Sequence, residues 1–356
     1  MANNTTSFDT VVNYAGFTER VILASLLFAI FLIGAIGNLM VIIAVALSKT
    51  LRTRTNVFVV NLSFADFVAC LAFPWWSVAL LSGDEWLIPG TEWICTTAGL
   101  TTFMSIGVSV MSITYIAINR LILITRSLAT YQRVYTTRNI TIMLVIIYII
   151  AIVLVGMPTF VGFGGTGFVA ESHTCSDVID NFTALIYDLH QGIATGLLLA
   201  TIVACYIAIY VHVKRHFGQR KRSSIPAASA ELSMNSITDI EASSTTDPTV
   251  VSLNKKINRD MIEITKNLFV CVCILMVCLI PISVVNLVST SPRIHVYAWV
   301  VAFANSAVNP LIYAWRHPHF KVVLRLMFRC RYADIPQPSS FLQKCLSTGL
   351  STDTYM

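Results

Sequence analysis

Long apolar blocks recur seven times along the chain, at residues 21–47, 57–81, 98–124, 140–161, 184–211, 268–288 and 296–315. A helix needs about 20 mostly apolar residues to cross the ~30 Å hydrocarbon layer of a bilayer, and each block meets that length. Within lipid every backbone N–H and C=O must be paired inside the protein, which leaves helices or a closed barrel. A barrel would read as alternating segments of about ten residues, whereas these blocks are continuous. Charge supports the same conclusion. Lys+Arg (24) and Asp+Glu (18) make up only 12% of the 356 residues, 56% are hydrophobic, and the mean hydropathy is +0.73. That is too little charge to coat a water-soluble globule of this size. The expected fold class is an all-α membrane protein, a seven-transmembrane helix bundle.

Orientation follows from the connections, because basic residues are retained on the cytoplasmic side. With the amino terminus outside, every Lys and Arg except Arg20 and Arg293 is cytoplasmic. The reverse topology would leave only those two inside. Asn3 and Asn4, in overlapping N-x-T sequons, and Asn181 then fall outside, where they are expected glycosylation acceptors. The sequons at Asn61 and Asn139 lie in or at the inner end of a span and read as chance. No basic stretch precedes an early apolar core, so no cleaved signal peptide is expected and the first span serves as the anchor. Of nine cysteines, only Cys95 and Cys175 lie on the oxidising side. They are expected to pair, the alternative being two free thiols.

The organisation read from these signals is an extracellular amino terminus (1–20), a seven-helix domain (21–315), a membrane-surface helix (316–331) and a cytoplasmic tail (332–356). Residues 223–252, in the third cytoplasmic connection, are rich in Ser, Thr and Ala and have a disordered composition. After the last span, Phe320, Leu324, Met327 and Phe328 fall at i, i+4, i+7 and i+8, with Arg316, Lys321, Arg325 and Arg329 on other faces. That pattern predicts an amphipathic helix lying on anionic lipid, with Cys330 at its end as a palmitoylation candidate.

Asp66 is the only acid deep in a span, and an ionisable group in hydrocarbon is a functional candidate by default. Asn38, Ser105, Ser109, Asn305, Ser306 and Asn309 offer hydroxyls and amides from the first, third and seventh blocks. A lone carboxylate with oxygen ligands and no histidine suits a hard cation rather than zinc.

Gly37-Asn38, the run Asn61-Leu62-Ser63-Phe64-Ala65-Asp66 and the string from Asn305 through Asn309-Pro310 to Tyr313 resemble the rhodopsin-like family of G-protein-coupled receptors. Cys95 followed twenty-five residues later by Arg120, and Phe320 after Tyr313, match the same pattern over roughly residues 20–330. Locally, Leu51 to Val60 is similar to melatonin receptors. The resemblance implies a plasma-membrane receptor that responds to an extracellular ligand by activating a heterotrimeric G protein, with receptor kinases and arrestin as further partners. It implies that Asp66, Ser109, Asn305 and Asn309 form a sodium and water site, with Asp66 the metal ligand and no other cofactor required. It also implies an inner switch of Arg120, Tyr206, Pro281, Pro310 and Tyr313. Departures from the family pattern are informative. Asn119-Arg120-Leu121 stands where an acid-Arg-Tyr is usual, so Arg120 lacks its adjacent carboxylate and raised basal activity is expected. Tyr148 stands near a usual Trp, Leu198 near a usual Pro, and Cys278-Leu279-Ile280-Pro281 lacks the usual Trp.

The expected ligand pocket draws on Trp76, Thr102, Phe103, Ile106, His190, Asn286, Trp299 and Phe303, none of them acidic. Amine receptors of the family carry an Asp where Thr102 stands, and opsins a Schiff-base Lys where Phe303 stands. A neutral or mostly apolar small ligand is therefore expected, with a peptide at the acidic outer loops as the alternative. A transporter would show inverted repeats and broken helices, and a channel a ring of filter residues; neither pattern is present. No nucleophile with its base, and no metal-ligand spacing, points to an enzyme. The net charge of +6 is accounted for by topology, so no nucleic-acid partner is expected.

Overall fold

Each apolar block forms a helix in the computed structural model of the chain, which describes residues 16–161, 165–178, 181–223, 269–270, 272–288 and 291–352. The helices are α1 (Phe17–Leu47), α2 (Arg54–Leu81), α3 (Glu92–Thr125), α4 (Thr137–Val161), α5 (Asn181–Ser223), α6 (Val272–Val288) and α7 (Pro292–Arg316). Among the described residues six of them are long and apolar enough to cross a membrane, and α6 is a shorter apolar helix. The sequons at Asn3 and Asn4 and residues 224–252 lie outside the described residues, as does the side chain of Asn181.

Burial divides the bundle into a rim and a centre. Only 22% of the apolar windows of α1 and α4 is buried, against 61% for α2 and α3 and 67% for α7. α1 presents Leu26, Phe28, Leu32 and Ile36, and α4 presents Ile142, Val145, Ile149 and Val153, to the outside. Apolar faces of that extent would drive association in water but match lipid. The central helices carry the polar residues. Small residues let them approach closely. A Cβ on Gly37 would lie 2.7 Å from Pro310 Cγ, and one on Gly99 would lie 2.5 Å from the carbonyl oxygen of Cys175.

Local sequence sets the helix ends. Thr53 caps α2, its Oγ1 accepting the Asn56 N–H at 3.2 Å, which satisfies one of the unpaired donors of a first turn. Ser127 caps the two-turn helix Leu128–Val134 in the same way. At the disulfide end, β1 (Gly165–Val169) and β2 (Thr174–Val178) form an antiparallel hairpin that sets Phe168 opposite Cys175. Cys95 at the start of α3 is bonded to Cys175, so the hairpin lies on α3. The two basic residues at this end are both engaged. Arg20 donates to the carbonyls of Leu80 and Ser82 at the end of α2, and Arg293 pairs with Glu19 across α7 and α1.

At the opposite end, α8 (Pro318–Phe328) follows α7 after a single residue, His317. Phe320, Val323, Leu324 and Met327 are buried, whereas Phe328 is 69% exposed. The inward stripe therefore runs through Val323, and Phe328 points away from the bundle. Residues 332–347 pack against the first connection. Ser48 and Pro338 form an isolated antiparallel bridge. Lys49 N–H donates to Gln337 O at 2.9 Å, and Ser339 N–H donates to Leu47 O at 2.8 Å. Ile335 and Leu342 are buried beside the end of α1, the latter in the first turn of α9 (Ser340–Thr352). Two apolar side chains and a few backbone hydrogen bonds thus strap the tail to the first connection.

Candidate functional site

Three polar sites lie along the bundle. The central one is built on Asp66, which α2 buries to 1% exposure. Ser109 Oγ of α3 donates to its Oδ1 at 3.0 Å, Ser306 Oγ of α7 donates to the same oxygen at 3.1 Å, and Asn309 Nδ2 donates to Oδ2 at 2.8 Å. Asn305 is buried in the same helix, yet the contact to the carboxylate comes from Ser306, its neighbour. Asn38 Nδ2 joins α1 to α7 by donating to Ser306 O at 2.8 Å. Two buried oxygens, Asn38 Oδ1 and Ser63 Oγ, have no partner. Among the described residues no group of three His, Cys, Asp or Glu could hold a metal. The donor set around Asp66 is therefore a carboxylate with neutral oxygens, which fits a hydrated sodium ion and not a transition metal.

Beside it, Asn61 Nδ2 donates to Ser112 Oγ at 2.8 Å and Tyr148 Oη donates to Asn61 Oδ1 at 3.0 Å. This links α2, α3 and α4. Asn61 is buried, in keeping with its sequon being a coincidence of spelling.

Toward the disulfide end lies a cavity of about 100 Å³ between α3, α4, α5, α6 and α7. Phe103, Ile106, Asn286 and Trp299 line it, and so do Gln191, Thr195 and Ser283. The remaining expected pocket residues sit elsewhere. Trp76 is fully enclosed and donates through Nε1 to Thr102 Oγ1 at 3.1 Å. Phe303 stacks on Phe73 at 4.9 Å between centroids and meets Trp76 edge-on at 4.9 Å. These three form the wall behind Phe103 and Trp299, and His190 is exposed. Residue type identified an aromatic lining, but which rings face the cavity depends on helix rotation. Gln191 is an amide next to His190 near the start of its block, whereas Thr195 and Ser283 carried no signal beyond polarity within an apolar block.

The third site is at the α8 end. Thr55 Oγ1 donates to Asn119 Oδ1 at 2.7 Å, and Asn119 Nδ2 donates to Tyr131 Oη at 3.4 Å. Asn119 is thereby tied to α2 and to the short helix after α3, not to Arg120. Arg120 is buried, its Nε has no hydrogen-bond partner, and the phenols of Tyr206 and Tyr131 lie within electrostatic range. Tyr313 is buried and stacks on Phe320 at 5.7 Å. α6 stays helical through Pro281 and α7 through Pro310. Beyond the end of α7, His317 Nδ1 accepts the Phe320 N–H, capping α8. Burial, Arg120 and His319 push the His317 pKa down to about 3, so its ring is neutral. Cys330 follows α8 and is exposed, with a left-handed backbone (φ 53°).

Residues 37–313 match the family model described as 7 transmembrane receptor (rhodopsin family). The chain belongs to that family. The family is one of signalling receptors, not enzymes, and the transporter and channel alternatives fall with that assignment. The chain is 24% identical over 394 residues to the G-protein coupled receptor moody of Drosophila melanogaster, covering 95% of this chain and 57% of that protein. It thus spans little more than half the length of that relative. It is 27% identical over 324 residues to melatonin receptor type 1B-B of Danio rerio, covering 86% and 81% of the two chains. The fold is similar to the crystal structure of squid rhodopsin, with a TM-score of 0.73 at 20% identity over 93% of this chain and 91% of that one.

Proposed function

We propose that this family member is a plasma-membrane receptor, with its amino terminus outside, that takes a neutral, mostly apolar small molecule and activates a heterotrimeric G protein at the Arg120 end. The observation that carries the ligand class is the cavity lining. Its polar groups are Gln191, Thr195, Ser283 and Asn286, its wall is Phe103, Ile106 and Trp299, and no lining side chain is charged. A cationic amine would find no counter-ion there, and burial of an unpaired charge is costly. The zebrafish relative's name specifies melatonin, a neutral aromatic amide, which makes that compound a rational first ligand to assay.

Basic residues concentrated at the Arg120 end support the orientation. Ligand shifts the resting equilibrium only by binding the open state more tightly. Asp66, Ser109, Ser306 and Asn309 would hold sodium in the closed state. The exposed basic residues Lys321, Arg325 and Arg329 of α8 fit anionic lipid and Cys330 fits a palmitoyl anchor, while arrestin and receptor kinases are the partners expected once the receptor is active.

The test is ligand-free and melatonin-stimulated coupling in cells across a panel of G-protein biosensors, comparing wild type with Arg120→Ala at matched surface expression. A signal that the substitution removes supports the reading and names the transducer. A signal of equal size in the Arg120→Ala receptor overturns the role given to the Arg120 end.

A further inference from the structure

A second cavity, of about 380 Å³, opens at the Arg120 end. Its walls come from two helix starts. Thr53, Arg54, Thr55 and Asn56 are the cap and first turn of α2, and His317 and His319 are the cap and first turn of α8. A helix start carries the positive end of the helix dipole, and two of them meet here, although Thr53 and His317 already cap one N–H each. Arg120 closes the cavity from α3, and Gln132 adds an amide.

No acid appears on this lining, although two arginines do. Arg120 is nine-tenths buried, and its Nε is unpartnered. The carboxylate that would answer it in the family pattern is Asn119 here, and Asn119 is committed to Thr55 and Tyr131. His317 spends Nδ1 on capping α8, so the neutral ring carries its proton on Nε2 and adds a donor. A guanidinium with no counter-charge, beside a second guanidinium, two helix starts and several hydroxyls, describes the receptor side of an oxyanion site. The volume far exceeds that of a halide, and donors arriving from three helices suit a tetrahedral group.

We propose that this cavity binds a phosphomonoester, which supplies Arg120 with the counter-charge that Asn119 does not. The group could be the headgroup of an inner-leaflet lipid or a soluble phosphate ester, and both present the same chemistry. A bound anion and a transducer would then compete for Arg120. The site shares Arg120 with the transducer face proposed above, so the test uses binding alone and the two proposals can fail separately.

The full chain is purified into phosphatidylcholine nanodiscs and its melting temperature is followed against inositol trisphosphate at constant ionic strength. A parallel series uses nanodiscs containing phosphatidylinositol bisphosphate. A saturable rise is expected in wild type and in Arg133→Gln, an exposed arginine that does not line the cavity. The rise is expected to need at least about tenfold more probe in Arg54→Gln and Arg120→Gln, since a charge-assisted contact is worth about 1.5–3 kcal/mol and 1.4 kcal/mol is about tenfold. Arg54 is exposed, so its substitution should leave the fold intact. A rise with the soluble ester assigns that source, and a rise only with the lipid assigns the headgroup. No rise with either probe, or a rise that survives Arg54→Gln unchanged, overturns the proposal.

Discussion

Single residues decide the chemistry of this bundle. Asp66 accepts three hydrogen bonds from α3 and α7. If sodium joins them, it should raise the melting temperature of purified wild type relative to choline, and Asp66→Asn should abolish that rise; a rise that persists in the variant excludes the site. Tyr148 donates a hydrogen bond from its hydroxyl to Asn61 Oδ1. Tyr148→Phe should lower stability by about 1 kcal/mol, the scale of a membrane hydrogen bond, read as a lower melting temperature. His317 gives a pH signature. Its pKa falls from an ordinary 6.5 to about 3 in the folded protein, so the unfolded chain takes up a proton first. Its contribution to stability is complete above pH 6.5 and is lost as pH falls toward 3. Between pH 7 and 5, wild type should lose about 2 kcal/mol more than His317→Asn, a difference that melting curves across pH would register. The residue types at the Asp66 cluster were legible in the sequence, but their pairing was not. Asn305 and Ser306 are neighbours in sequence, yet they point about 100° apart around a helix of 3.6 residues per turn, and only packing decides which one meets the carboxylate.

Elements were legible where their signal is local. Twenty apolar residues encode a span by themselves, whereas the helix starts at Thr53, Ser127 and Pro318 became apparent only from the structure. The β1–β2 hairpin was not legible, because its strands are five residues each and derive their order from the Cys95 bond and from α3. Gly99 is the tight point of that junction, since the carbonyl of Cys175 occupies the place of a side chain. Gly99→Ala should cost roughly 1–3 kcal/mol, as overpacking does, and depress surface expression. Cys95→Ser and Cys175→Ser should each cost on the order of 4 kcal/mol, given a closure spanning 80 residues. The double variant should be no worse than either single one, and additive losses would show that the two thiols act apart.

On the scale of the whole molecule, the helical membrane bundle was legible because span length and apolarity can be counted along the chain without knowledge of contacts. The strap of residues 332–347 was not, because Ile335 and the short apolar run around Leu342 are too brief to signal an element and acquire meaning only where α1 ends. That strap changes the mechanical order of the molecule. α1 is a rim helix whose span is only 22% buried, and the strap ties it directly to the segment that follows α8. The polypeptide is thereby closed into a ring whose clasp lies outside the bundle. Under a pulling force applied at the carboxyl terminus, the clasp bears the load first. A force spectrometer should record a small early extension of roughly 5 nm, the length of about fifteen freed residues, before any helix leaves the membrane, and Ile335→Ser should erase that first step while the later ones remain.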